Sequence, residues 1–235
     1  MEAPVNLFLF CLCGAIACLS PIQDAAKDLP QVLTQIDQQS SDISSLKATF
    51  RQVKHSSILR KPLVSSGTIQ MLEDRVRWDT KEPNASVLLA SSEGVRIYYP
   101  DLNVIEVYRL SDQLRQLAGS PVFRLSELNR NFTIDSNLKT SDSGVLSLEL
   151  IPRDESLRKH LKSIRLDVHA ETGIVRQVEL RNVDDERTEI SFERIRVNPT
   201  LTTRDLDLDV PENVRTVHPL GNDPELDTSI NGAGT

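Results

Sequence analysis

The sequence predicts a mainly β domain of the α+β class, an antiparallel meander of about ten or eleven strands with a few short helices. Three observations predict it. Apolar and polar residues alternate with a period of two in one run after another from Leu46 onward. The breaks between these runs, among them "EDR", "SEG", "PDL", "SDSG", "ETG" and "DDER", are short enough for hairpins. Helical periodicity is confined to one stretch before the first run and one in the middle of the chain.

In chain order, "DLPQVLTQIDQQ" (28–39) carries Leu29, Val32, Leu33 and Ile36 at spacings of three and four, after an Asp suited to cap a helix and with an early Pro. This is a short amphipathic helix. Leu46, Ala48 and Phe50 then alternate with Lys47, Thr49 and Arg51, and helix gives way to strand. The runs "SSGTIQML", "RVRWDT", "ASVLLAS", "VRIYYP" and "NVIEVYRL" follow, and later "FTIDSNLKT", "VLSLELIP", "SIRLDVHA", "IVRQVELRN" and "RTEISFERIRV". Between the two groups, "SDQLRQLAGSPVFRLSELNRN" (111–131) predicts two short helices: Leu114 and Leu117 on the first, a break at Gly119 and Pro121, then Leu125 and Leu128.

The length of 235 residues suits one large β domain, expected over 24–218. The Gly, Asn, Asp and Pro content of 219–235 predicts a disordered tail. Residues 7–19, "LFLFCLCGAIACL", are short for a bilayer span but fit the apolar core of a secretory signal, so 1–20 reads as a signal peptide and the chain as exported. The preceding "MEAPVN" departs from the usual pattern, with Glu2 and no basic residue. "AIAC", ending at Cys18, resembles the acylation motif of bacterial lipoproteins, with Ala15 where leucine is usual, which makes Cys18 a candidate acylation site. All three cysteines, Cys11, Cys13 and Cys18, lie in this segment, so a chain cleaved after it has no internal disulfide.

The formal net charge of −7 argues against nucleic acid as a partner. His55, His160, His169 and His218 are not paired at metal-ligand spacing, and no nucleophile elbow, phosphate loop or dinucleotide fingerprint is present. We therefore expect neither an enzyme nor a cofactor or metal. "DLDLDVPEN" (205–213) alternates acids with leucines but lacks the turn Gly and distal Glu of a calcium loop; it reads as a half-exposed strand with its acids in water.

The strands carry more apolar surface than the helices can cover. Phe50, Ile69, Met71, Val76, Trp78, Ile97, Tyr99, Leu146, Leu148, Leu150, Ile164, Leu166 and Val168 fall on inward positions. Two readings are open: a closed barrel core, or a concave apolar cavity under a helical lid.

The ordered set "LKATFRQ", "SGTI", "RVRW" with Pro83 beyond it, "SVLLAS", "EGVRIYYPDLNVIEVYRL", "LELIP", "IRLDV", "GIVRQVEL", "TEISF" and "DLDLDVPENV" resembles the bacterial outer-membrane lipoprotein carrier proteins, the LolA family, over 28–218. The resemblance implies an unclosed antiparallel β-barrel with an N-terminal helix and a helical lid over a hydrophobic cavity. It also implies a monomeric periplasmic carrier of lipoprotein acyl chains, served by an inner-membrane ABC-type releasing complex and an outer-membrane acceptor. The resemblance carries a lining role over to Val76, Trp78, Leu88 and Tyr99; with the inward residues Phe50, Ile69, Met71, Ile97, Leu146, Leu148 and Leu150 they make the expected lipid-binding set, and Leu114, Leu117, Leu125 and Leu128 of the two short helices the expected lid. Many carriers of the family have an Arg-Pro pair before the tryptophan that latches the lid. Here Leu72, Glu73 and Asp74 stand there, leaving Arg75 or Arg77 as a substitute latch or as an exposed strand face. Carriage or sensing of another lipid or glycolipid, and a lipid-anchored acceptor tethered through Cys18, are the alternatives.

Overall fold

The computed structural model describes residues 29–108, 121–122, 124–135 and 144–219. Helix α1 (Leu29–Gln39) forms where the periodicity places it, and its apolar stripe is buried through Leu33 and Ile36. Strands β1 (Ser45–His55), β2 (Leu63–Leu72), β3 (Arg75–Glu82), β4 (Ser86–Ser91), β5 (Gly94–Tyr99) and β6 (Val104–Tyr108) follow as a meander. After helix α2 (Leu125–Leu128) come β7 (Phe132–Asp135), β8 (Val145–Pro152), the one-turn helix α3 (Glu155–Arg158), β9 (Leu161–His169), β10 (Ile174–Asn182) and β11 (Arg187–Val197). Each of the eleven alternating runs contains a strand, and a short twelfth, β12 (Arg215–Val217), joins them.

The twelve strands make one sheet in the order β12-β6-β5-β4-β3-β2-β1-β11-β10-β9-β8-β7. β1 pairs with β11, which joins the two meanders, and β12 runs parallel to β6 while every other pairing is antiparallel. Among the described residues β12 and β7 are unpaired edges, so the barrel is unclosed. A single core runs along the inner face, from Leu46, Ile69 and Met71 on one half to Leu148, Leu150, Leu166 and Val168 on the other, with Leu33 and Ile36 of α1 and Leu125 and Leu128 of α2 packed on it.

The outer face of β2–β6 is also covered. "DLDLDVPEN" is not a strand as its alternation suggests: a 3-10 turn (Thr203–Leu206) is followed by extended chain outside the sheet. The turn is closed by Asp205, whose carboxylate accepts from the backbone N–H and hydroxyl of Thr202, both at 2.7 Å. Leu206 is fully buried and the turn packs against β2 and β3. From there the chain crosses to β6, over the face where Leu89, Tyr98 and Ile105 are buried, with its acids in water. The alternation is real, but it serves a strap lying on a sheet rather than a ladder within one.

Candidate functional site

Period-two geometry sends Val76 and Trp78 inward and Arg75, Arg77 and Asp79 outward, and the register agrees. Across the sheet, Ile69, Trp78, Leu88, Ile97 and Glu106 are successive cross-strand partners, so they form one row on the inner face. A second row runs through Met71, Val76, Ala90, Val95 and Tyr108. Leu146, Leu148 and Leu150 of β8 face the same interior opposite Val168, Leu166 and Ile164.

The rows differ in exposure. Phe50, Ile69, Met71, Val76, Leu146, Leu148 and Leu150 are buried, whereas Trp78, Leu88, Ile97 and Tyr99 are only half-buried. Trp78 sits between two phenylalanines: Phe50 meets it edge-on at 4.7 Å between ring centroids, and Phe192 of β11 lies tilted at 5.6 Å. Phe192 is paired with Phe50 across the β1–β11 junction, so the aromatic cluster spans the seam between the two meanders. Gly67 makes room for it, since a Cβ there would stand 1.9 Å from the backbone oxygen of Asp79 and 2.9 Å from the Phe50 ring.

One end of the apolar row is polar. Tyr108 and Tyr99 both donate to the same oxygen of Glu106, at 2.8 and 3.2 Å. Burial, followed by the hydrogen bond to Glu106 and repulsion by its charge, pushes the Tyr108 phenol up to about 12. Tyr99 is raised by burial and by the same carboxylate. The hydroxyl of Tyr99 thus belongs to this polar rim.

Arg75 and Arg77 face outward and hold the strap: Arg75 pairs with Asp207 at 3.3 Å, and Arg77 donates to the backbone oxygen of Asp207 while chelating Asp79 at 2.7–3.1 Å. The bond to Asp79 and the nearby charges of Asp79 and Asp207 hold the Arg77 proton more tightly than usual, against the effect of burial. α2, which carries Leu125 and Leu128 into the core, is held instead by Asp37 of α1. Leu114, Leu117 and Cys18 lie outside the described residues. Among the described residues no group of three His, Cys, Asp or Glu could hold a metal ion.

A separate cleft of about 430 Å³ opens between His55, Lys162 and the β10–β11 hairpin. It is lined by charge, with Arg187 held by Glu189 at 2.9 Å, and is no place for an apolar ligand.

The family model of the outer membrane lipoprotein carrier protein LolA matches residues 41–205, from the strand that bears Phe50 to the turn that buries Leu206. The chain belongs to the LolA family. A protein from Azotobacter vinelandii named outer-membrane lipoprotein carrier protein is 26% identical over 215 residues, covering 88% of this chain and 97% of the relative. A protein of the same name from Nitrosomonas europaea is 27% identical over 203 residues, covering 84% and 92%. Among solved structures, an uncharacterized conserved protein from Thermus thermophilus shares the fold with a TM-score of 0.51 at 9% identity, over 80% of this chain and 97% of that one.

Proposed function

We propose that this LolA-family protein is a periplasmic carrier that shields lipoprotein acyl chains on its inner face and moves them from the inner to the outer membrane. The observation that carries this reading is the half-buried apolar row Trp78, Leu88 and Ile97, backed by a buried core and reaching solvent. A fully packed barrel would leave no such row. Burial is worth about 0.8 kcal/mol per methylene, so a chain of about 16 carbons resists passage through water by roughly 10 kcal/mol. A carrier must offset most of that and still release its cargo. The donor in this reading is an inner-membrane ABC-type releasing complex and the recipient an outer-membrane acceptor; the chain works as a monomer without a cofactor.

The test is retention of a purified triacylated lipoprotein in detergent-free solution. Wild-type protein keeps it soluble and hands it to acceptor membranes, and Trp78→Asp does not; equal retention by both would defeat the reading. The polar rim of Tyr99, Glu106 and Tyr108 supports a second reading in the same fold, in which the cargo is another lipid or a glycolipid whose headgroup meets hydrogen-bonding groups. Mass spectrometry of the mature N-terminus separates a shuttle from a tethered acceptor: a triacylated Cys18 supports the acceptor, an unmodified start near Gln23 to Lys27 the shuttle.

A further inference from the structure

The β1–β2 hairpin reverses the surface chemistry of the rest of the chain. Of the eight large apolar side chains that are exposed among the described residues, four lie on it: Ile58 at 86%, Leu59 at 42%, Leu63 at 43% and Val64 at 43%. Arg60 and Lys61 stand exposed between them, and neither takes part in an ion pair among the described residues. Lys54, nearer the base, is neutralised by Glu186 at 2.8 Å. From Ile43 to Leu72 there is no Asp or Glu, although 34 in 235 residues would place about four there, while Lys47, Arg51, Lys54, Arg60 and Lys61 fall within it. An acidic protein thus presents an apolar and basic tip.

Four apolar side chains on a two-stranded ribbon are too small a surface for a stable protein interface, which buries about 800 Å² per partner. They suit a bilayer surface, where a few apolar groups enter the acyl boundary and adjacent cations meet lipid phosphates. The order of the residues fits: Ile58 and Leu59 at the apex, Arg60 and Lys61 immediately after.

We propose that the β1–β2 hairpin tip, through Ile58, Leu59, Arg60 and Lys61, docks this protein on an anionic phospholipid surface. The inference concerns the contact with the membrane and does not depend on what cargo is carried.

The test uses the full chain with Ile58→Trp in a Trp78→Phe background, which places the sole tryptophan at the tip. Its emission is expected to shift to the blue with vesicles containing phosphatidylglycerol and to stay unchanged with pure phosphatidylcholine. Adding Arg60→Gln and Lys61→Gln should weaken the vesicle affinity about 25-fold, at roughly five-fold per surface cation. Ile58, Arg60 and Lys61 are solvent-exposed, so each variant is expected to keep the circular dichroism spectrum of the Trp78→Phe parent. No shift with anionic vesicles, an equal shift with neutral ones, or a shift indifferent to the loss of both cations would overturn the proposal. Arg60→Gln with Lys61→Gln in a chain that keeps Ile58 and Trp78 should retain lipoprotein as wild type does, so failure here leaves the carrier reading standing.

Discussion

Asp37 on α1 holds Ser126 at the start of α2 through one carboxylate oxygen, which accepts the hydroxyl at 2.5 Å and the backbone N–H at 3.0 Å. Its other oxygen accepts the N–H of Leu125 at 2.7 Å. α2 has no side-chain cap of its own, because Arg124 occupies that place, so a residue 88 positions away supplies it. Removing it by Asp37→Ala leaves buried N–H groups unpartnered, and a loss of about 2 kcal/mol is expected. Asp37→Asn keeps one acceptor oxygen and should lose about half as much. Urea denaturation gives the magnitude, and faster amide exchange at 125–128 than in β8 places the effect at α2.

Trp78 is the only tryptophan in the chain, so its fluorescence reports directly on the inner face. Binding of an acyl chain against it should shift its emission to the blue. Trp78→Phe should keep the contacts with Phe50 and Phe192 and bind lipid within a few-fold of wild type. Trp78→Asp sets a charge among aromatic rings, and titration with a fluorescent fatty acyl probe should show at least a ten-fold loss.

Gly67→Ala should be among the most damaging small substitutions. The added carbon meets backbone rather than a movable side chain, so β2 and β3 must part where the pairing already shifts register. A loss of about 3 kcal/mol in chemical denaturation is expected; a variant as stable as wild type would mean that β2 and β3 separate freely there.

Alkaline stability should follow Tyr108. Its phenol titrates at about 12 in the folded protein, against about 10 when unfolded. The folded state therefore binds the proton more tightly, so the stabilisation is complete below pH of about 10 and is lost as pH rises toward about 12. Tyr108→Phe should flatten that part of a stability-against-pH curve, read from denaturation midpoints, and Tyr99→Phe should do so in the same direction.

The sheet and its inner face were legible because period-two alternation is a local property: the parity that put Val76 and Trp78 inward needed no knowledge of the partner strands. The same parity applied to β6 puts Glu106 on the inner face with Val104 and Tyr108, so the polar rim could have been found by counting. Phe192 lay within a run already read as a strand, and only the β1–β11 pairing brought it to Trp78. Other features were out of reach. Asp37 looks like a polar residue of an amphipathic helix, and its value lies entirely in where Leu125 and Ser126 arrive. Arg75 and Arg77 face outward as strand parity says, but what they grip is Asp207, 132 and 130 residues further on. The acids of "DLDLDVPEN" alternate in a way that an edge strand and a strap share, and only the ladder tells them apart.

The most direct test of the account is the identity of the lipid that leaves the cell with the protein. The full chain is expressed in a Gram-negative host, purified from the periplasmic fraction without detergent, and its bound material analysed by mass spectrometry beside Trp78→Asp. The account predicts triacylated lipoprotein on the wild type and little on the variant. Phospholipid or glycolipid alone, or the same load on both proteins, would contradict it.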